Sequence, residues 1–138
     1  RNSYMKIGGK TIDILENGNL SCAFYVSSLL SLFSTFKFLK NPPHSTIAGT
    51  IKDMKSSGWY EIKTLKPGSI LLWEEKKFGD QYAKKGHKHL GFYVGKKKAI
   101  SNSSKRGMPI SHSFTFGFVN SKRFRKIEDI FWHKALNK

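Results

Sequence analysis

Residues 87–103 run His87-Lys88-His89-Leu90-Gly91-Phe92-Tyr93-Val94, then Gly95-Lys96-Lys97-Lys98, then Ala99-Ile100-Ser101-Asn102-Ser103. Two β-prone runs flank a short glycine-led basic turn, a pattern that predicts an antiparallel hairpin. Directly opposed residues of such a hairpin share a face. With an even loop, Val94 lies opposite Ala99, Gly91 faces Asn102, and Asn102 joins His89 on one face. With an odd loop, Ser101 takes that place instead. Upstream, Trp59–Ile62 and Ser69–Trp73 read as strands across the turn Lys66-Pro67-Gly68, followed by a charged loop over 74–86. Downstream, 109–116 reads as another strand and 126–132 as a last strand or a short helix.

The N-terminal half has a different period. Residues 20–39 are apolar nearly all round, as in a central helix buried on most sides, and Asn41-Pro42-Pro43 stops the run. His44-Ser45-Thr46 offers an N-cap, and Ile47, Ile51 and Met54 mark a second helix that ends before Gly58. Residues 1–18 read as an irregular or strand-bearing lead-in. Helices first and strands after predict an α+β domain over 1–138, with the N-terminal helices packed on a central antiparallel β-sheet.

The chain has 138 residues, a net charge of +16 and a single cysteine. So strong a charge implies an anionic partner: nucleic acid, an acidic membrane surface or an anionic cell-wall polymer. The basic groups fall mostly in turns, and no helix-turn-helix, zinc finger or RNP-like strand accompanies them, so sequence-specific nucleic-acid binding is not expected. No apolar stretch reaches the ~18 residues that span a bilayer. One cysteine cannot close an internal disulfide or build a thiolate zinc site, and the five histidines lack a metal spacing, so neither metal nor cofactor is expected.

Cys22 follows the turn formers Asn17, Gly18 and Asn19 at the start of the first helix. There the helix dipole and unpaired N–H groups favour a thiolate and lower a cysteine pKa. Nucleophilic catalysis also requires a base within reach and a third group that orients it. His89 is the candidate base and Asn102 the candidate orienting residue, with Ser101 and His112 as alternatives. His87 shares the face of His89 and, with Ser21, His44 and Ser101, is a candidate for substrate contact. His133 and the tryptophans Trp59, Trp73 and Trp132 read as structural.

In this order the segments resemble the NlpC/P60 family of cell-wall cysteine peptidases. Leu20-Ser21-Cys22-Ala23-Phe24-Tyr25-Val26 stands where the family has Asp-Cys-Ser-Gly-Phe-Val, and Pro42-Pro43-His44-Ser45-Thr46 near its Leu-Pro-Arg-Thr. Leu65-Lys66-Pro67-Gly68-Ser69-Ile70-Leu71 is similar to Leu-x-Pro-Gly-Asp-Leu-Val, and His89-Leu90-Gly91-Phe92-Tyr93-Val94-Gly95 to His-Val-Gly-Ile-Tyr-Val-Gly. The resemblance covers residues 20–110. Ser21 replaces the family's Asp, and Ala23-Phe24 its Ser-Gly.

The resemblance implies a papain-like fold and a cysteine peptidase or amidase that cleaves peptide or amide bonds in peptidoglycan through a thioester. It also implies a bacterial cell-envelope or secreted setting, the first residue being Arg and any leader lying outside the chain. A monomer is expected. The alternatives are a non-catalytic basic module that binds anionic polymer, and a related acyltransferase or deamidase acting on protein.

Overall fold

The computed structural model describes residues 4–7, 10–13, 21–31, 38–40, 44, 46–76, 87–103, 106 and 108–137. Strands β1 (Tyr4–Ile7) and β2 (Lys10–Asp13) pair with each other as an antiparallel ribbon. Two helices follow, α1 (Ser21–Ser31) and α2 (Ile47–Ser56). Six further strands follow, β3 (Trp59–Ile62), β4 (Ile70–Lys76), β5 (His87–Gly95), β6 (Lys98–Ser103), β7 (Met108–Ser113) and β8 (Ile127–His133), with a 3-10 turn at Lys134–Leu136 after the last.

These last six form one antiparallel sheet in the order β3-β8-β4-β5-β6-β7. The segment that read as either strand or helix is therefore a strand, and an inner one. β8 lies between β3 and β4, pairing Glu61 with Phe131 on one side and Leu71 with Ile130 on the other. The interior of the sheet depends on it.

Alternation along the strands buries both faces of the sheet. Ile70, Leu72, Leu90 and Phe131 pack with Val26 and Leu30 of α1 and Met54 of α2. Leu71, Trp73, Tyr93 and Ala99 form a second cluster on the opposite face, covered by Phe114, Phe116 and Ile130. Burying each large side chain contributes on the order of 1.5–3 kcal/mol.

Among the described residues the architecture is thus sheet-dominated, a six-stranded antiparallel sheet with two short α-helices. This overturns the expected papain-like α+β fold of helices packed on a central sheet. The physical reason is the two-sided burial: the helices cover one face, while strand-borne and loop side chains cover the other. The helix expected over 20–39 is helical from Ser21 to Ser31, and residues 32–37 lie outside the described residues.

α2 begins as its sequence predicts. Thr46 is extended (φ −116°, ψ 148°) and its hydroxyl accepts the Gly49 N–H at 3.0 Å. Behind the cap, Asp53 ties the helices together. Its carboxylate accepts the Lys40 N–H at 2.7 Å and the Ser57 hydroxyl at 2.9 Å, and it meets His44 Nε2 at 2.7 Å. The His44 N–H in turn donates to Ser27 Oγ of α1 at 2.7 Å.

Asp53→Asn removes the charge that holds this junction. The expected loss is about 1.5–3 kcal/mol of stability, the range for hydrogen bonds to a charged group. Urea unfolding at neutral pH, compared with the parent chain, measures it.

Candidate active site

The hairpin bearing His89 turns through Lys96 and Lys97, whose φ values of 52° and 60° make a type I′ connection between Gly95 and Lys98. Lysine seldom adopts this left-handed backbone, and the Tyr93 hydroxyl steadies it by accepting the Lys97 N–H at 3.2 Å. Taken alone, the turn gives the even pairing, with Val94 opposite Ala99. A β-bulge between Tyr93 and Gly95 cancels it, so Tyr93 pairs with Ala99 and Phe92 with Ile100.

The cause lies on the other side of β5. The Tyr93 N–H donates to the Ser69 carbonyl at 2.9 Å, and its carbonyl accepts the Gly68 N–H at 2.8 Å. Tyr93 is locked to the Pro67-Gly68 turn, and Val94 becomes the extra residue. The slip brings Ser101, rather than Asn102, to the face of His89. Gly91 permits the approach, because a Cβ there would lie 2.7 Å from both the Ile100 carbonyl oxygen and Ser101 Cβ.

On that face the polar side chains form a directional chain. His89 Nε2 lies 2.8 Å from Ser101 Oγ, Ser101 Oγ lies 2.6 Å from His112 Nε2, and His112 Nδ1 lies 2.7 Å from the Ser113 carbonyl oxygen. The directions follow from the last link. A carbonyl only accepts, so His112 Nδ1 carries a hydrogen. Burial lowers the pKa of His112, keeping the ring neutral and leaving Nε2 as an acceptor. Ser101 therefore donates to His112, and its oxygen accepts from His89 Nε2–H. The lone pair of His89 then sits on Nδ1, in the tautomer a general base requires.

α1 contacts β5 and β6 and brings Cys22 to them. The β5–β6 ladder ends at Phe92 and Ile100, and beyond it the Leu90 N–H lies near enough to Cys22 to act on its pKa. Burial raises the Cys22 pKa; the N–H groups of Leu90, Ala23 and Cys22 itself and the charge of Arg125 pull it back. The low pKa expected at a helix start is thus outweighed by a thiol that is only 5% exposed. Burial, with Arg125 and then His112 adding to it, lowers His89 to about 3. At neutral pH the thiol and imidazole are both uncharged, and among the described residues no hydrogen bond joins them.

Arg125 completes the cluster. Its guanidinium lies 5.7 Å over the Phe116 ring, which stacks on His112 at 4.0 Å and meets His89 at 5.6 Å. Phe116 has a φ of 62°, a strained value for an aromatic residue, at a cost of order 1–3 kcal/mol. The Phe116 N–H donates to the Ser113 carbonyl at 3.0 Å, and the Arg125 N–H donates to the Thr115 carbonyl at 2.9 Å. These bonds hold the segment over the relay.

Comparison of the chain with protein-family models, curated proteins and solved structures gives no match. The cluster must be read from its own chemistry. It joins His89, Ser101 and His112, while Cys22 on α1 feels the charge of Arg125, which also acts on both histidines. Asn102 is paired with Pro109 on the other face and is not the partner of His89. His44 belongs to the Asp53 junction, which accounts for both its ring and its backbone N–H. His133 is structural, its Nε2 meeting the Ser57 carbonyl at 2.9 Å and its Nδ1 accepting the Ala135 N–H. Ser21 opens α1 and His87 opens β5, but their side chains lie outside the described residues.

Sequence reasoning missed Arg125, which sits in the run Lys122-Arg123-Phe124-Arg125-Lys126 and reads there as one more solvated cation. Among the described residues no group of three or more His, Cys, Asp or Glu side chains converges on one point.

Ser101→Ala breaks the chain at its middle and leaves two buried ring nitrogens without their partner. The expected cost is about 1–3 kcal/mol, read by urea unfolding. The pH dependence has a definite sign. His89 is held neutral down to about pH 3, whereas the unfolded chain protonates it near 6.5, so stability is full above about 6.5 and falls with acid across that window. Urea midpoints measured from pH 7 to pH 4 should decline, and His89→Gln should flatten the decline.

Proposed function

We propose that the chain is a cysteine hydrolase acting on peptide or amide bonds, with Cys22 as nucleophile and His89 as base. The observation that carries this reading is the one-way relay from His89 through Ser101 and His112 to the Ser113 carbonyl. It presents His89 Nδ1 as an acceptor on the strand where Cys22 docks. An orienting chain of this kind is what a nucleophile and base pair requires.

In the reaction, His89 Nδ1 takes the thiol proton as sulfur attacks the amide carbonyl carbon. Collapse of the tetrahedral adduct breaks the C–N bond, and His89 returns the proton to the leaving amine. Water, deprotonated by the same nitrogen, then cleaves the thioester. The imidazolium that forms at each attack donates to Ser101, so the relay stabilises it. The backbone N–H of Cys22 is a donor for the developing oxyanion.

For the substrate, the resemblance of residues 20–110 to NlpC/P60 peptidases supports a bond in peptidoglycan and a cell-envelope setting. The net charge of +16 suits its carboxylates and other anionic wall polymers.

A second reading is a basic binding module without chemistry, favoured by the buried, neutral thiol. Two experiments separate them. Turnover of defined muropeptides, followed by product mass, should be abolished by Cys22→Ala and reduced about 10²–10⁴-fold by His89→Ala. Alkylation of Cys22 by iodoacetamide should proceed in the native protein and slow in the His89 variant. A thiol that reacts only in denaturant, with salt-sensitive polymer binding, would establish the module instead.

A further inference from the structure

Among the described residues the two most exposed large apolar side chains are neighbours, Phe118 at 84% and Val119 at 80%. They do not hang on a loose strand of chain. The Ser121 N–H donates to the Phe118 carbonyl at 2.8 Å, closing a turn over Phe118–Ser121, and the Thr115 hydroxyl donates to the Gly117 carbonyl at 2.8 Å. The pair is therefore presented at the tip of an ordered projection.

Cations surround its base. Lys122, Arg123 and Lys126 are exposed, and the Cβ position of Gly117 lies 4.0 Å from Arg123 Cβ. A dissolved polyanion has use for the cations but none for a bare phenyl ring and an isopropyl group. An anionic bilayer uses both, since acyl chains take the apolar tip while headgroup phosphates meet the lysine and arginine side chains.

We infer that the 117–126 projection is a membrane-docking element, with Phe118 and Val119 entering the outer part of an anionic leaflet and Lys122, Arg123 and Lys126 lying at its headgroups. This does not depend on the chemistry assigned to Cys22. The projection begins beside Phe116 and includes Arg125, so docking would hold the relay close to the lipid surface.

The test uses the full chain with vesicles of phosphatidylcholine, alone or mixed with phosphatidylglycerol. Flotation should recover the protein with the anionic vesicles and much less with phosphatidylcholine alone. Replacing both tip residues (Phe118→Ser with Val119→Ser) should weaken partitioning at least about tenfold at fixed salt. Lys122→Gln and Arg123→Gln should each weaken it about fivefold and flatten its salt dependence. Because the replaced side chains are exposed, circular dichroism and urea midpoints should be unchanged.

Phe118→Trp supplies a direct reporter, readable because Trp59, Trp73 and Trp132 are all buried. Its emission should shift to the blue with anionic vesicles and be quenched by brominated acyl chains. Vesicle binding that survives the double serine change would overturn the inference in favour of adsorption by charge alone. Failure to bind either vesicle at low salt would also overturn it. So would self-association that the serine pair abolishes, which would assign the tip to a second copy of the chain.

Discussion

One extra residue in β5 governs the candidate site. The type I′ turn at Lys96 and Lys97 would set Asn102 beside His89, and the bulge at Val94 sets Ser101 there instead. A slip of one residue exchanges the faces of every side chain beyond it. The relay, the stacking of Phe116 on His112 and the approach of Arg125 all rest on this offset. The offset is itself held by the backbone bonds of Tyr93 to Gly68 and Ser69, so a proline-glycine turn on one strand fixes the chemistry presented by the next.

Electrostatically the cluster is quiet at rest. Desolvation dominates at Cys22, His89 and His112, and each is pushed toward its neutral form. Among the described residues the one fixed charge acting on all three is the guanidinium of Arg125. That charge favours a thiolate and disfavours an imidazolium, so its two effects oppose each other in any proton transfer between the groups.

Much of the local structure was legible in the sequence. The capping of α2 by Thr46, the strand at Trp59–Ile62, the Pro67-Gly68 turn and the hairpin at 87–103 follow from residue type and period alone. What the sequence did not yield depends on contacts distant along the chain. The bulge at Val94 arises from bonds to residues some 25 positions earlier, which no local pattern reports. The dominance of the sheet follows from β8 entering between β3 and β4, whereas the helical first half drew the reading toward helices on a sheet. Ser101 and His112 are both legible as alternatives to Asn102, and the two stand in series in the hydrogen-bonded chain from His89. Arg125 carried no signal that separates it from the cations around it.

The place of β8 also bears on how the sheet comes into being. β3 and β4 are close in sequence, yet neither pairs with the other; each donates an edge to a strand that begins some 50 residues after β4. During synthesis both edges stay open until Ile127–His133 has been made, because no earlier strand fills the gap. Such distant closure slows folding and prolongs the exposure of unpaired edges. Arg125 lies two residues before that strand, so completion of the sheet and completion of the candidate site are a single late event.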